Sequence, residues 1–269
     1  MITSTHNPKL KLIRALQGRA KERRDAGAFV AEGIRLVEEA YSTNWPFRFV
    51  LYDEVLNKRG SSLVENLKSR GVDCEEVSSG LMKSLSETET PQGLLAVLND
   101  SQLPISNSLN FVLIPDQIRD PGNLGTLLRT AAAAGVQAVL LPPETTDAFA
   151  PKVVRSGMGA HFRLPIHSMN WEEISQVVKL AGVALSGEAI LKGLQVLIAD
   201  MNGKSCWETD LCQPIALVIG GEADGASESA RKLASQKISI PMSGKIESLN
   251  AGVAGSILMF EVVRQRSNL

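Results

Sequence analysis

Short apolar runs alternate with amphipathic segments along the first third of the chain. Strands are indicated by "AFVA", "FRFVLY", "VDCEEV" and "GLLAVL", whereas "IRLVEEAY" and "SSLVENLKSRG" have the apolar spacing of helices. This alternation predicts a small α/β domain over residues 1–98. The next stretch, residues 99–108 ("NDSQLPISNS"), is polar, contains a proline and has no periodicity, which is typical of a linker.

The strand and helix pattern restarts at residue 109 and continues to the last residue. Strands are predicted in "NFVLIPD", "QAVLL", "GVALSG", "PIALVIGG" and "KISIP". Because helix candidates separate these strands, residues 109–269 are predicted to form a second α/β domain with a mostly parallel sheet. Ligands of such sheets bind beyond the carboxyl ends of the strands, so those ends are where functional residues are expected.

Composition narrows the class of protein. The chain has 269 residues, 44% of them hydrophobic, which is enough for folded cores. No apolar run reaches the roughly eighteen residues of a membrane span, and the amino terminus lacks a secretory signal, so a cytoplasmic protein without a membrane partner is expected. The three cysteines and three histidines show no ligand spacing, so neither a disulfide framework nor a metal is expected.

Charge is balanced overall but locally uneven. The formal net charge of −1 argues against a generic nucleic-acid binder. Between Lys9 and Arg24, however, seven basic residues accompany a single acid. Leu10, Ile13 and Leu16 recur at helical spacing, so a helix that buries these three and exposes its charges to solvent explains the pattern.

The end of the first strand in the second domain carries a turn and an outward-facing arginine. In "DPGN", residues 120–123, proline and glycine occupy turn positions, and Asn123 is predicted to be the N-cap of the next helix. Arg129 is predicted to point about 140° away from the apolar stripe of that helix. Arg129 therefore faces solvent or a second subunit.

Two further strand ends carry unusual residues. A buried-type strand leads into Gly220, Gly221 and Glu222, where glycine permits a ligand to approach the backbone, although the spacing is not that of a dinucleotide fingerprint. A third strand ends at Ile240-Pro241. A loop follows it, and Ser248 or Asn250 can cap the last helix.

The pair of polar residues in "SLNAGVA", residues 248–254, exceeds what one cap requires. Leu249 lies between them and is expected to point into a pocket. Gly252 and Gly255 each weaken a helix by about 1 kcal/mol relative to alanine. Their presence therefore predicts close packing of the last helix against another backbone.

Together, these strand ends resemble the three signature motifs of the SpoU, or TrmH-like, class of SPOUT RNA methyltransferases. Asn123 and Arg129 resemble the first motif, and Gly220 with Glu222 the second. The resemblance to the third motif is carried by Ile240, Pro241, Ser248, Leu249 and Asn250. The segment "RSGMGAHFRLPI" also looks like one of this family, and residues 1–98 resemble its small RNA-substrate-binding domain.

The resemblance implies a fold, a reaction and partners. The fold is a SPOUT-type parallel sheet with a deep trefoil knot, and the enzyme is a homodimer with Arg129 near the partner subunit. The reaction is methyl transfer from S-adenosyl-L-methionine to a ribose 2′-hydroxyl of RNA, with ribosomal RNA favoured over transfer RNA. The basic segment then acquires a second interpretation, contact with RNA phosphates.

The resemblance also assigns roles to individual residues. The catalytic residues are Asn123, Arg129, Glu222, Ser248 and Asn250, and the cofactor is bound by Gly220, Ile240 and Leu249. Arg129 either activates the hydroxyl or only orients it and neutralises phosphate, because an arginine with a pKa above roughly 12 is an awkward base.

Some residues depart from the family pattern, and alternative functions stay open. Ala223 replaces a commoner glycine, and Ala251-Gly252 replace a commoner valine and serine. The alternatives are a transfer RNA 2′-O-methyltransferase and an inactive RNA-binding or ribosome-assembly factor of the same fold. A Rossmann-type enzyme is disfavoured because no early glycine-rich turn is present.

Overall fold

The fold is described from a computed structural model that covers residues 1–181, 193–222, 224–244 and 248–267. Its helices are α1 (Pro8–Gln17), α2 (Ala20–Ala26), α3 (Ile34–Ser42), α4 (Lys58–Ser69), α5 (Ser79–Leu85), α6 (Pro121–Ala133), α7 (Pro151–Gly157), α8 (Trp171–Leu180), α9 (Glu228–Leu233) and α10 (Ala251–Arg266). Its strands are β1 (Ala28–Glu32), β2 (Phe47–Tyr52), β3 (Cys74–Glu76), β4 (Leu94–Asn99), β5 (Phe111–Asp116), β6 (Ala138–Leu141), β7 (Ile166–Ser168), β8 (Gln195–Ser205), β9 (Ile215–Gly220) and β10 (Gln236–Ser239).

The chain divides into two compact units. Unit 1 comprises Met1–Ser101 together with Phe149–Phe162, and unit 2 comprises Gln102–Ala148 together with Arg163–Leu269. The segment with α7 therefore belongs to unit 1, although it lies far along the chain from the rest of that unit. Most of the "RSGMGAHFRLPI" stretch is in this segment.

Unit 1 is a four-stranded sheet with helices packed on it. The strand order is β1-β4-β2-β3, in which β4 runs antiparallel to both neighbours and β2 runs parallel to β3. Leu10, Ile13 and Leu16 of α1 are fully buried in its core, as their helical spacing predicts.

The basic segment of unit 1 is two helices, not one. Helix α1 ends at Gly18, and α2 begins at Ala20. The guanidinium of Arg23 is buried and donates to the carbonyl oxygens of Leu16 (2.6 Å) and Gly18 (3.2 Å). Arg23 therefore joins the two helices and cannot also serve as a surface charge.

Unit 2 is built on a six-stranded sheet whose paired strands are all parallel. The order is β10-β8-β9-β5-β6-β7, so the predicted parallel sheet is confirmed. Strand β5 is buried along its whole length, and the first five residues of β9 are buried too. This central pair places Asp116 opposite Gly220 at its carboxyl end.

Two strands of this sheet are absent from the sequence prediction, and one predicted strand lies outside the described residues. Strands β7 and β8 were not predicted, because β7 has only three residues and β8 becomes polar after Ala199. The predicted strand "GVALSG", residues 182–187, lies outside the described residues.

The last helix, α10, packs against α6 and β9. A side chain at Gly255 would collide with Leu127 of α6 and approach Ile219 of β9 at 3.2 Å. A side chain at Gly252 would meet Thr126 at 3.3 Å. Close packing at both glycines is thus confirmed, but the contacts are with side chains and not with another backbone.

No helix among the described residues is long and apolar enough to cross a membrane. Within the same residues, no group of three or more histidine, cysteine, aspartate or glutamate side chains is arranged to hold a metal ion.

Candidate active site

Apart from Arg129, the predicted site residues converge at the carboxyl ends of β5, β9 and β10. Because all three strands are parallel, their carboxyl ends lie along one edge of the sheet. The residues that follow them belong to the turn into α6, the glycine turn after β9 and the segment before α10.

A hydrogen-bonded triad joins these three segments. The side-chain amide of Asn250 donates to Asn123 Oδ1 (2.9 Å) and to Glu222 Oε1 (3.1 Å). The amide of Asn123 also donates to Glu222 Oε1. A single carboxylate oxygen thus accepts from both amides, which fixes the three side chains relative to one another. We call Asn123, Glu222 and Asn250 the amide–carboxylate triad.

Helix caps leave these amides free to form the triad. The N-cap of α6 is Asp120, whose Oδ1 accepts from the backbone N–H of Asn123 (2.9 Å), so the prediction that Asn123 is the cap was wrong. Pro121 fits the first helical position because it lacks an N–H group. Of the two predicted caps of α10, Ser248 and Asn250, the N-cap is Asn250, whose Oδ1 accepts from Val253 N (3.1 Å).

A cavity of about 600 Å³ opens beside the triad. It is lined by the three predicted cofactor-binding residues and by three of the predicted catalytic residues, namely Gly220, Ile240, Leu249, Glu222, Ser248 and Asn250. Ile219 and Leu258 add apolar wall, and Asp200 and Asn202 of β8 add polar groups. We call this space the large cavity.

Glycine is required in the floor of the large cavity. A side chain at Gly220 would overlap the backbone of Gly225 and Ala226, and one at Gly221 would meet the carbonyl oxygen of Gln117 at 2.6 Å. Gly225 has a φ of +68°, a conformation that favours glycine. These glycines let the turn fold tightly and expose its backbone to a ligand.

A buried aspartate is hydrogen-bonded to the residue that ends this turn. Asp116, the last residue of β5, is fully buried, and its Oδ2 accepts from Ser227 N (2.6 Å). Its Oδ1 has no hydrogen-bond partner among the described residues. Burial raises the pKa of Asp116, and the Ser227 N–H acts in the opposite direction. Sequence analysis did not select Asp116, because one acid ending an apolar strand carries no distinguishing pattern.

Asp200 is a second carboxylate that sequence analysis missed. It lines the large cavity, pairs with Lys237 (2.8 Å) and accepts from Asn202 N (2.9 Å). The hydrogen bond from Lys237, and then that from Asn202, lowers the pKa of Asp200. The tripeptide "DMN" after an apolar run is the signal that could have identified it.

Arg129 lies apart from the triad. It is exposed on α6, as its helical position predicts, and lines neither the large cavity nor the smaller cavity beside Asn123. No hydrogen bond or ion pair joins it to another of the described residues. Ala223, one departure from the family pattern, and part of the loop before Ser248 lie outside the described residues.

Known proteins match most of this chain. Residues 110–260 match the model of the SpoU rRNA Methylase family, and residues 7–96 match the MRM3-like substrate binding domain. The chain is 33% identical over 261 residues to the 23S rRNA (guanosine(2553)-2′-O)-methyltransferase RlmP of Bacillus subtilis, covering 97% of this chain and 98% of that protein.

Solved structures match over nearly the whole chain. The AdoMet-bound rRNA methyltransferase of Sinorhizobium meliloti superposes with a TM-score of 0.83 at 30% identity, covering 98% of this chain and 97% of that one. The SpoU methyltransferase AviRb of Streptomyces viridochromogenes, in complex with AdoMet, gives a TM-score of 0.79 at 28% identity and covers 98% and 100%. Because the family model matches residues 110–260 and RlmP matches 97% of the chain at 33% identity, the chain belongs to the SpoU rRNA methylase family.

Proposed function

We propose that this protein transfers a methyl group from S-adenosyl-L-methionine to a ribose 2′-hydroxyl of ribosomal RNA. The observation that carries the proposal is the amide–carboxylate triad at the rim of the large cavity. The relatives support it, because RlmP is named as a ribosomal RNA 2′-O-methyltransferase and two similar structures hold AdoMet.

The residues that line the large cavity suit S-adenosylmethionine in polarity and in charge. Ile219, Ile240, Leu249 and Leu258 offer apolar surface to an adenine ring, and the glycine turn offers backbone groups. The carboxylates of Asp200 and Glu222 favour the positive charge of a sulfonium. When bound, the cofactor supplies an electrophilic methyl group on that sulfur.

The triad would position the acceptor hydroxyl for methyl transfer. Glu222 Oε1 accepts two amide hydrogen bonds, whereas Oε2 accepts none from the described residues and is available to accept the proton that the hydroxyl releases. Fixing the reacting oxygen at such a site removes the orientational entropy cost of the reaction. Asn123 and Asn250 are thus positioning residues for Glu222, and Ser248 adds a hydroxyl at the rim.

Arg129 is proposed to neutralise RNA phosphate and to orient the hydroxyl. A guanidinium with a pKa above roughly 12 stays protonated, which suits anion binding better than proton removal. Because Arg129 lines neither cavity, a second protein surface is needed to place it next to a bound substrate. A homodimer provides that surface.

An exposed apolar face on α10 supports the homodimer. Val253, Ile257 and Phe260 recur at positions i, i+4 and i+7 and are 47%, 40% and 50% exposed. An unpartnered helix stripe of this kind is typical of an interface. Arg129 lies on α6, the helix that packs against α10, so the proposed interface places it beside the partner subunit.

Sedimentation of the wild type and of Phe260→Glu tests the homodimer. We expect a dimeric wild type, and a Phe260→Glu variant that is monomeric, folded and poorly active. Lys232→Glu, a charge change at an exposed residue of α9, is the control that should stay dimeric. A wild-type monomer with full activity would exclude this assembly.

We also propose the trefoil knot and a cytoplasmic location. The strand order supports the knot, because β10 lies beyond β8, so the chain after β9 must cross β8 before α10 returns to pack on β9. An experimental structure of the whole chain tests the knot.

The proposed cytoplasmic location follows from the substrate class, and fractionation of the source cells tests it.

Labelled methyl transfer tests the reaction itself. Unmodified ribosomal and transfer RNA transcripts are incubated with labelled S-adenosylmethionine, and alkali-resistant dinucleotides are scored. We expect label in such dinucleotides from ribosomal RNA, with Asn250→Ala strongly reduced. Label only from transfer RNA would change the substrate class. Cofactor binding with no transfer to either RNA would indicate another RNA or a ribonucleoprotein particle as the substrate, whereas no cofactor binding would indicate an inactive RNA-binding factor.

A further inference from the structure

A smaller cavity of about 180 Å³ lies next to the large cavity, at the start of α6. Asn123 and Glu222 of the triad line it, and Glu222 lines both spaces. Gln117 and Arg119, which follow β5, form its outer wall. A ribose whose hydroxyl reaches Glu222 would therefore have the rest of its nucleotide near Gln117 and Arg119.

The charge of this smaller cavity is unfavourable for RNA except at one residue. Asp120, Glu222 and Asp224 contribute carboxylates, and Arg119 contributes the single cationic side chain among the described lining residues. A polyanion brought to this wall is repelled by the carboxylates and attracted at Arg119. The position of Arg119 therefore determines where a phosphate of the bound nucleotide can be placed.

Arg119 and the residue that it pairs with, Glu144, lie at two strained turns. Gln117 after β5 has a φ of +55°, and Glu144 after β6 has a φ of +66°, which are costly conformations for residues with a Cβ. Thr145 secures the first turn, since its Oγ1 accepts from Gln117 N (3.1 Å) and donates to Pro115 O (2.8 Å). Such strain tends to concentrate at functional sites.

The two turns bring their side chains together at a single carboxylate oxygen. Glu144 Oε2 accepts from Gln117 Nε2 (3.3 Å) and from Arg119 Nη2 (3.3 Å). The side chains of Arg119 and Glu144 are 72% and 61% exposed. An ion pair this exposed adds little stability, so stabilising the fold does not account for the two strained turns. A phosphate, which arginine can bind through two parallel hydrogen bonds, can readily replace the carboxylate.

We propose that Arg119 binds a phosphate of the target nucleotide and that Glu144 is its counter-ion in the free protein. Glu144 and Gln117 hold the guanidinium at the rim of the smaller cavity until RNA displaces the carboxylate. Arg119 is thus a substrate-binding residue outside the signature motifs. This inference deepens the proposed function and rests on it.

Charge-neutralising variants of the pair separate phosphate binding from a structural role. For Arg119→Gln we expect about a tenfold loss of kcat/KM toward a large-subunit ribosomal RNA transcript at low salt, the loss expected of one charge-assisted hydrogen bond. The plot of log(kcat/KM) against log(salt) becomes shallower by about 0.7 to 0.9. For Glu144→Gln we expect the opposite, a rise of about two- to threefold, because a competing carboxylate is removed while an acceptor for Gln117 remains.

Matched measurements make the result interpretable. Lys232→Gln, which breaks an exposed Lys–Glu pair of similar exposure on α9, should leave the salt dependence unchanged. S-adenosylmethionine affinity by calorimetry and the melting temperature should be unchanged in all three variants. Arg119→Lys should restore part of the activity, since it keeps the charge but loses the two-pronged geometry.

The outcomes distinguish this inference from the proposed function. Equal losses in Arg119→Gln and Glu144→Gln would show that the pair only shapes the turns, and an unchanged salt slope in Arg119→Gln would remove the phosphate; either result overturns the inference. If the wild type methylates no RNA, the proposed function fails. Filter binding of the same transcript across a salt series then tests Arg119 without any catalytic step.

Discussion

Asn250 performs two tasks, and two substitutions can separate them. Its Oδ1 caps α10 at Val253 N, while its amide nitrogen donates to Asn123 and Glu222. Asn250→Ala removes both tasks. Asn250→Asp keeps a capping oxygen but removes the amide donor, because an ionised carboxylate accepts hydrogen bonds only.

The structure sets the size of each effect. Loss of an N-cap costs about 1 kcal/mol, which lowers the melting temperature of a protein of this size by roughly 2–4 °C. The hydrogen bond to exposed Glu222 is worth about 1.5 kcal/mol, the lower end for a charged acceptor, and the bond to Asn123 about 0.5 kcal/mol. Together they correspond to about a 30-fold loss of kcat/KM.

We therefore expect both variants to lose activity and some stability, because both lose the amide hydrogen bonds. Asn250→Ala should melt roughly a further 2–4 °C below Asn250→Asp, since it alone loses the cap. In Asn250→Asp the favourable position of a carboxylate at a helix N-terminus offsets repulsion from Glu222, each being of order 1 kcal/mol. Scanning calorimetry and methyl-transfer kinetics measure the two properties on the same samples. A fully active Asn250→Asp variant would refute the idea that the amide donor organises Glu222.

Three other predictions follow from the site and from unit 1. Gly220→Ala should weaken S-adenosylmethionine binding more than tenfold in calorimetry, because the new methyl overlaps the turn that follows, whereas Gly244→Ala meets nothing within 4 Å and should bind normally. The pKa of Asp116 is raised in the folded protein, so its contribution to stability is complete below its unfolded pKa and is lost as pH rises through the folded pKa. The urea midpoints of the wild type and Asp116→Asn should therefore diverge above about pH 4. Midpoints that change in parallel with pH would contradict this. The double variant of exposed Arg14 and Arg24 to Gln should make the salt dependence of RNA binding shallower by about 1.4 to 1.8, and no change would identify these charges as a solvated face.

Much of the fold could be predicted because its strands are either buried or clearly alternating. Strand β5 is buried throughout and β9 along its first five residues, so an apolar run of five marks each one. Strand β8 was missed for a physical reason. Its second half forms a cavity wall, where Asp200 and Asn202 replace the apolar residues that pattern analysis detects.

Sequence analysis named residues that the structure, except for Arg129, brings to one sheet edge, but it did not predict the hydrogen bonds between them. The signature residues mark which side chains meet, whereas the hydrogen bond that caps α6 depends on backbone geometry at Asp120. Asn123 was predicted to form that cap, but its side chain is instead hydrogen-bonded to Glu222 and Asn250. The pairing of Arg119 with Glu144, 25 residues apart, also depends on two backbone conformations that no local pattern indicates.

The order of strands explains why three weak motifs form one site. Asn123, Glu222 and Asn250 are separated by 99 and 28 residues along the chain, yet their hydrogen bonds join the turns beyond β5, β9 and β10. Parallel strands of one sheet bring the residues that follow them to the same edge. Strands β5 and β9 are neighbours, whereas β10 is separated from β9 by β8, and Asn250 follows the end of β10 by 11 residues. The shape of each turn depends on the residues within it. These are the glycines after β9 and the strained residues after β5 and β6, and we expect substitutions of them to alter ligand binding more than folding.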